Sequence, residues 1–183
     1  SPYSVKVRSY FRFKQIPHEW IIRSAATMDE FAKFAKLPII PLLVTPQLEG
    51  SQDSTLVIEQ LEALHPKDSI YPEDTTVNFV STLLEEFGDE WANKWMFHYR
   101  WAREIDQIAS AGRIAQLTQP DASSEQLAKL TEQVRQRMIG RVGFVGSNPE
   151  TAPQIEASLH LALEQLEVHL ESRAYLLQSQ MQR

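Results

Sequence analysis

Two prolines inside an apolar run limit what this chain can fold into more than any other feature. Residues 37–44 read LPIIPLLV. Proline donates no backbone hydrogen bond, so in a sheet it belongs at an edge or at a strand's first residue. Pro41 therefore opens a strand, Pro41–Val44, and does not sit inside one. About 5–6% of X–Pro bonds in folded proteins are cis, so Pro41 taken alone reads as a trans proline at a strand entry. The turn TPQLEG (45–50) follows, and Gln47–Gln52 supplies the hairpin return. Asp53-Ser54 then leads into an amphipathic helix, Ser54–Leu64, with Val57, Leu61 and Leu64 at helical spacing and a stop at His65-Pro66.

The preceding segment has a similar grammar. Pro2 suits a first helical turn, and Val5, Tyr10 and Phe13 share a face, which predicts a helix over Val5–Lys14 ended by Ile16-Pro17. His18–Ile22, HEWII, reads as a short strand. Thr27 with Glu30 three residues later makes a capping box for a short helix, Asp29–Lys36. Residues 66–76, PKDSIYPEDTT, hold two prolines and four charges and read as a linker.

Everything after the linker follows a helical period. Apolar residues at 80, 83, 84, 87, 91 and 95 predict one long helix, Val77–Gly112, kinked at Gly88, with Trp91 and Trp95 in the core. Pro120–Ser124 is a loop and Ser124–Met138 a polar amphipathic helix. GRVGFVGSNP (140–149) spaces its glycines somewhat like a phosphate loop, but no strand leads in and no Lys-Ser/Thr closes it, so it reads as a plain loop. Thr151 and Gln154 form a second capping box, followed by a core stripe of Ile155, Leu159, Leu163, Leu166 and Leu170.

Composition excludes several functions. A net charge of −6 argues against a general polyanion binder such as a nucleic-acid protein. No apolar run approaches the roughly 20 residues that span a bilayer. With no cysteine there is no disulfide, thiolate ligand or cysteine nucleophile. The five histidines show no metal-ligand spacing, and no metal is expected.

The order apolar–Pro–apolar, turn with Gly, Asp-Ser, and a helix ending Leu-His-Pro resembles the glutathione-binding domain of soluble glutathione transferases. Ser1-Pro2-Tyr3-Ser4-Val5-Lys6-Val7-Arg8 resembles the start of that family's first helix. The later segments Leu163–Glu167 and Arg173–Leu177 fit its helical half. The resemblance implies a thioredoxin-like α/β domain at 1–66, a linker at 67–76 and an all-helical domain at 77–183. It also implies a first strand before Ser1 and a further buried helix after the last residue, so that both domains are expected to lack an end. The absence of cysteine leaves only a branch that meets the thiol with a hydroxyl.

The resemblance carries residue roles, each with a plainer structural reading beside it. Ser1 would donate to the glutathione sulfur at the positive end of a helix, with Ser4 and Tyr3 in reserve; Ser before Pro is otherwise a helix cap. Ser54 would hold the γ-glutamyl carboxylate by its hydroxyl and N–H, and Asp53 the amine; otherwise both are a cap. Ile40 and Pro41, joined by a cis bond, would pair with the cysteinyl backbone. Phe97, His98 and Trp101 would border the pocket of a small apolar electrophile, although aromatics at helical spacing are usually core and His98 reads more readily as a structural hydrogen-bonding residue. The implied activity is a glutathione transferase used in detoxification, a cytoplasmic homodimer with glutathione as cosubstrate. The alternatives are a non-catalytic member of the same fold, or a glutathione-dependent isomerase or dehalogenase.

Overall fold

The computed structural model describes residues 1–177. The chain divides into two compact units, Ser1–Tyr71 and a second that begins at Pro72. No helix among the described residues is long and apolar enough to cross a membrane.

The first unit opens with α1 (Pro2–Phe13), which buries Ser4, Val7, Tyr10 and Phe11. The buried positions recur every three to four residues, as one helix face requires. The N–H of Ile16 donates to the Phe11 carbonyl (2.9 Å) and that of Gln15 to the Arg12 carbonyl (3.2 Å), with Gln15 at φ 54. This is a Schellman ending, and Ile16 then packs on the core. A 3₁₀ turn (Ala25–Thr27) leads into α2 (Met28–Phe34). β1 (Leu42–Val44) and β2 (Gly50–Gln52) pair antiparallel, Leu42 opposite Gln52 and Val44 opposite Gly50. Asp53 alone separates β2 from α3 (Ser54–Leu64). Val57, Ile58 and Leu61 of α3 meet Val7, Tyr10 and Phe11 of α1 in one core cluster, with Leu43 of β1 against it.

Side-chain contacts fix how α1 and α3 run. Lys6 Nζ donates to Thr55 Oγ1 (3.4 Å), Tyr10 Oη to Glu62 Oε1 (2.8 Å), and Lys14 Nζ lies 2.8 Å from the same Glu62 oxygen. Partners advance together along both helices, so the two are parallel and their N-termini point the same way.

Three local expectations fail here. Val5 and Phe13 do not share the buried face of α1 with Tyr10; both are exposed, and the face toward the core is Ser4, Val7, Tyr10 and Phe11. His18–Ile22 forms no strand: the described sheet consists of β1 and β2, and 18–22 pairs with neither. The capping box belongs not to Thr27 and Glu30 but to Ser24 and Thr27 on the 3₁₀ turn, where the Ser24 N–H donates to Thr27 Oγ1 (2.8 Å).

The second unit is helical. α4 (Thr75–Glu86) is capped by Asp74, which accepts from the N–H groups of Thr76 and Val77 at 2.9 Å each. A π segment (Phe87–Ala92) follows, then α5 (Asn93–Trp101), α6 (Glu104–Thr118), α7 (Ser124–Ile139), a 3₁₀ turn (Val142–Val145) and α8 (Ala152–Leu170). Arg135, late in α7, reaches Glu104 (3.6 Å) and Gln107 (3.3 Å), early in α6, so these two helices are antiparallel. Ala111 and Ala115 have no exposed surface, and their small side chains allow close packing. The layout is thus an α/β unit with a small sheet followed by an all-helical one, in the order a thioredoxin-like domain and a helical domain take.

The single long helix expected over Val77–Gly112 is three pieces. The π turn carries Gly88, the expected site of the kink. The second break lies at Arg103, which is extended (φ −106, ψ 140) and begins α6, with Glu104 and Asp106 in its first turn complementing the helix dipole. The Gln107 side chain donates to the Trp101 carbonyl (2.9 Å), which satisfies a group that the break would otherwise orphan. A π turn inserts one extra residue and so rotates the next turns of helix about the axis. Trp91 is accordingly 62% exposed, not core, with Lys94 Nζ 4.1 Å over its ring. Trp95 packs edge-on against Phe87 (5.5 Å between centroids) and donates to Ser158 Oγ (2.8 Å). On α8, Ile155 and Leu159 are half-buried, whereas Leu163, Leu166 and Leu170 are exposed; the expected core stripe holds only over the first half of the helix. Thr151 does not cap α8 with its side chain; Asn148 Oδ1 instead accepts from the N–H groups of Glu150 (2.8 Å) and Thr151 (3.0 Å).

Candidate functional site

Because α1 and α3 are parallel, the first turns of both lie at one end of the first unit, and both present the positive end of a helix dipole there. That end gathers Ser1 and Ser4 from α1 with Asp53 and Ser54 from α3.

Ser1 stands at the N-cap of α1 and is exposed, but its side chain does not cap the helix. Ser4, one turn on, is buried, and its Oγ makes no hydrogen bond among the described residues. A buried hydroxyl without a partner is uncommon and calls for an explanation. Tyr3, on the same turn, is half-buried.

At α3 the capping role is taken by Asp53. Its Oδ1 accepts from the N–H groups of Thr55 (3.0 Å) and Leu56 (3.4 Å). Helix geometry leaves the first-turn N–H groups without intrahelical acceptors; Asp53 takes two of them and leaves that of Ser54. Ser54 itself is 6% exposed, and Asp53 is exposed with φ 78. That conformation is rare for any residue but glycine, and it lets the chain turn from β2 into α3 in a single residue. The Ile40–Pro41 bond is cis, as expected. Both residues are half-buried and enter β1 directly.

The aromatic group of the second unit lies differently from its expected role. His98 and Trp101 are each 1% exposed, so neither offers surface to a ligand; Phe97 is half-buried. His98 Nδ1 lies 2.7 Å from Ser147 Oγ, and its Nε2 lies 3.4 Å from Glu156 Oε1, which also accepts from Arg103 (2.8 Å). The Arg103 and His98 hydrogen bonds hold the Glu156 carboxyl below its ordinary range. Both ring nitrogens have protein partners, so His98 ties α5 to the 3₁₀ loop and to α8. Among the described residues no group of His, Asp and Glu could hold a metal ion.

Arg23 and Gln52 belong to no sequence motif, yet both bond the backbone just before Ile40. A lone Gln or Arg in a polar stretch gives no signal from spacing, and only the folded loop shows what it reaches.

Residues 1–64 match the family model described as glutathione S-transferase, N-terminal domain. Neither curated proteins nor solved structures gave a match to the chain.

Proposed function

We propose, from a chain whose first 64 residues match the glutathione S-transferase N-terminal domain model, that this protein is a glutathione transferase that activates the glutathione thiol for attack on a small apolar electrophile. The observation that carries the reading is the coincidence of that match with two parallel helix N-termini that bring Ser1, Ser4, Asp53 and Ser54 to one end.

In this reading the γ-glutamyl carboxylate takes the Ser54 N–H and hydroxyl, and its amine faces Asp53. Ile40 and Pro41 meet the cysteinyl backbone. A cysteine thiol ionises at about 8.5, so glutathione is mostly protonated at neutral pH. A hydroxyl donating to sulfur at the positive end of α1 favours the thiolate. Ser1, exposed at the N-terminal end of α1, is our first choice for that donor; Ser4, whose buried hydroxyl has no partner among the described residues, and Tyr3 are the reserves. Of the three aromatic positions expected beside the electrophile, Phe97 is half-buried, whereas His98 and Trp101 are enclosed within the second unit. The reading also carries a cytoplasmic homodimer; the exposed Phe79 and Leu83 of α4 would give such a dimer apolar surface.

The test is calorimetric titration with glutathione, then thiolate absorbance against pH for wild type, Ser1→Ala and Ser4→Ala. Bound glutathione should ionise below its free value in the wild type, and loss of the donor hydroxyl should remove that shift with little loss of affinity. If only Ser4→Ala removes it, the donor is Ser4. If glutathione binds with its free-solution ionisation in all three, the domain binds without activating. No uptake of glutathione at all overturns the reading.

A further inference from the structure

We propose that Gln52 is a positioning residue for the glutathione site: its side-chain amide locks the backbone of residues 36–39, immediately ahead of Ile40–Pro41, onto the strand that leads into Asp53–Ser54. The inference rests on the glutathione reading above.

Residues 36–41 have no regular structure, so their backbone groups need partners from elsewhere. Gln52 supplies four of them. Its Oε1 accepts from the N–H groups of Lys36 (2.8 Å) and Leu37 (2.9 Å). Its Nε2 donates to the carbonyls of Leu37 (2.8 Å) and Ile39 (2.8 Å). A glutamine amide offers two donors and two acceptor sites, and all are used, which also fixes which way round the amide sits. The carbonyl between them, that of Pro38, accepts from Arg23 Nη1 (3.0 Å), whose guanidinium lies 4.8 Å over the Phe31 ring. Each carbonyl from Leu37 to Ile39 is thereby held by a side chain, and Pro38 has no N–H to satisfy.

What makes this more than loop anchoring is where Gln52 stands. It is the last residue of β2, opposite Leu42 at the start of β1, and its neighbour in the chain is Asp53, the cap of α3. One residue therefore joins the two halves of the site. The Ile40 side would meet the cysteinyl backbone, the Asp53–Ser54 side would meet the γ-glutamyl group, and a ligand spanning both reads the distance between them. A misplacement of about 1 Å in such a site can cost on the order of a hundredfold in rate.

The experiment uses the full chain with Gln52→Leu, Gln52→Glu and, as a control for general destabilisation, Val57→Ala in the core. Glutathione affinity is read by calorimetry, local order by amide hydrogen exchange, and overall stability by melting temperature. Gln52→Leu should weaken glutathione at least tenfold and speed exchange of the Lys36 and Leu37 amides. Gln52→Glu keeps the accepting oxygen, so those two amides should stay slow, while a carboxylate set against the Leu37 and Ile39 carbonyls should still weaken glutathione threefold or more. Val57→Ala should lower the melting temperature and leave affinity within twofold. Wild-type affinity in Gln52→Leu, or an equal loss in Val57→Ala at matched melting temperature, overturns the proposal while leaving the glutathione reading intact. If the wild type takes up no glutathione, that reading fails; the lock is then judged on exchange alone, upheld if Lys36 and Leu37 speed up in Gln52→Leu beyond Val57→Ala, and refuted if they do not. Should Gln52→Leu fail to fold, the Gln52→Glu pattern decides.

Discussion

Replacing Glu62 with Leu should destabilise the first unit severely, and the reason is visible in its surroundings. Glu62 is 6% exposed and the Lys14 side chain 2%, so the pair is out of water. The carboxylate takes three hydrogen-bonding partners: Tyr10 Oη (2.8 Å), Lys14 Nζ (2.8 Å) and Ser69 Oγ (2.9 Å). Lys14 Nζ also donates to the carbonyls of Lys67 (2.7 Å) and Asp68 (3.1 Å), so the cluster straps the segment after α3 onto α1. Removing one member of a buried pair leaves the other charge uncompensated and costs about 3–5 kcal/mol, a large share of the roughly 5–15 kcal/mol that holds a domain folded. Glu62→Gln keeps an acceptor for Tyr10 but loses the charge, and should cost about 1.5–3 kcal/mol. Replacing both partners, Lys14→Met with Glu62→Leu, should recover much of the loss, because a well-packed apolar pair often equals a buried ion pair. Urea unfolding at pH 7 measures all four proteins, and trypsin cleavage after Lys67 reads release of the strap.

The pH dependence gives a second readout. Burial alone would push the Glu62 carboxyl up, but hydrogen bonds from Lys14, Tyr10 and Ser69 outweigh it and hold it below the ordinary 4.5. The unfolded chain therefore takes up the proton first as pH falls. The stabilisation is complete above about 4.5 and is lost as pH drops through the lower, folded value. Burial and the Glu62 hydrogen bond raise the Tyr10 phenol, so the same cluster should weaken again above pH 10.0, where an unfolded tyrosine ionises and the folded one does not. The reasoning is refuted if Glu62→Leu costs under about 1 kcal/mol at pH 7, as an exposed pair would, or if the gap between wild type and Glu62→Gln is as wide at pH 3 as at pH 7.

Gly50→Ala should be destabilising by about 1–3 kcal/mol, because an added Cβ would overlap the Phe34 carbonyl oxygen and lie 3.0 Å from the Phe34 Cβ; thermal unfolding checks it. Asp53→Ala should cost roughly 1 kcal/mol for the lost cap and more for φ 78, which alanine tolerates poorly, whereas Asp53→Asn should keep most of the stability; urea midpoints of the two variants separate these terms. Ser4→Ala removes a buried hydroxyl that has no partner among the described residues, and should raise stability in the absence of ligand by about 1 kcal/mol; a loss of stability instead would mean that the hydroxyl is satisfied in solution.

Much of the architecture is legible in the residues themselves. α3 begins at Ser54 and ends at Leu64 as its spacing and its His65-Pro66 stop require, and β1 starts just after Pro41. These are local properties: proline's fixed φ and missing N–H, an acidic cap, and a repeat every three to four residues act within a few positions of the chain. Tertiary structure decided the rest, because it depends on partners distant in sequence. HEWII has the composition of a strand but no described ladder to join. Trp91 fits an apolar stripe until a π turn rotates it to solvent, and the Leu163–Leu170 stripe has the right period without a described helix to cover it. Burial encloses His98 and Trp101, which spacing alone could not show. Gln52 is the sharpest case. Nothing in its neighbours distinguishes it, and its role exists only because the folded hairpin sets it against backbone groups 13 to 16 residues away, in a segment with no regular structure to pair them.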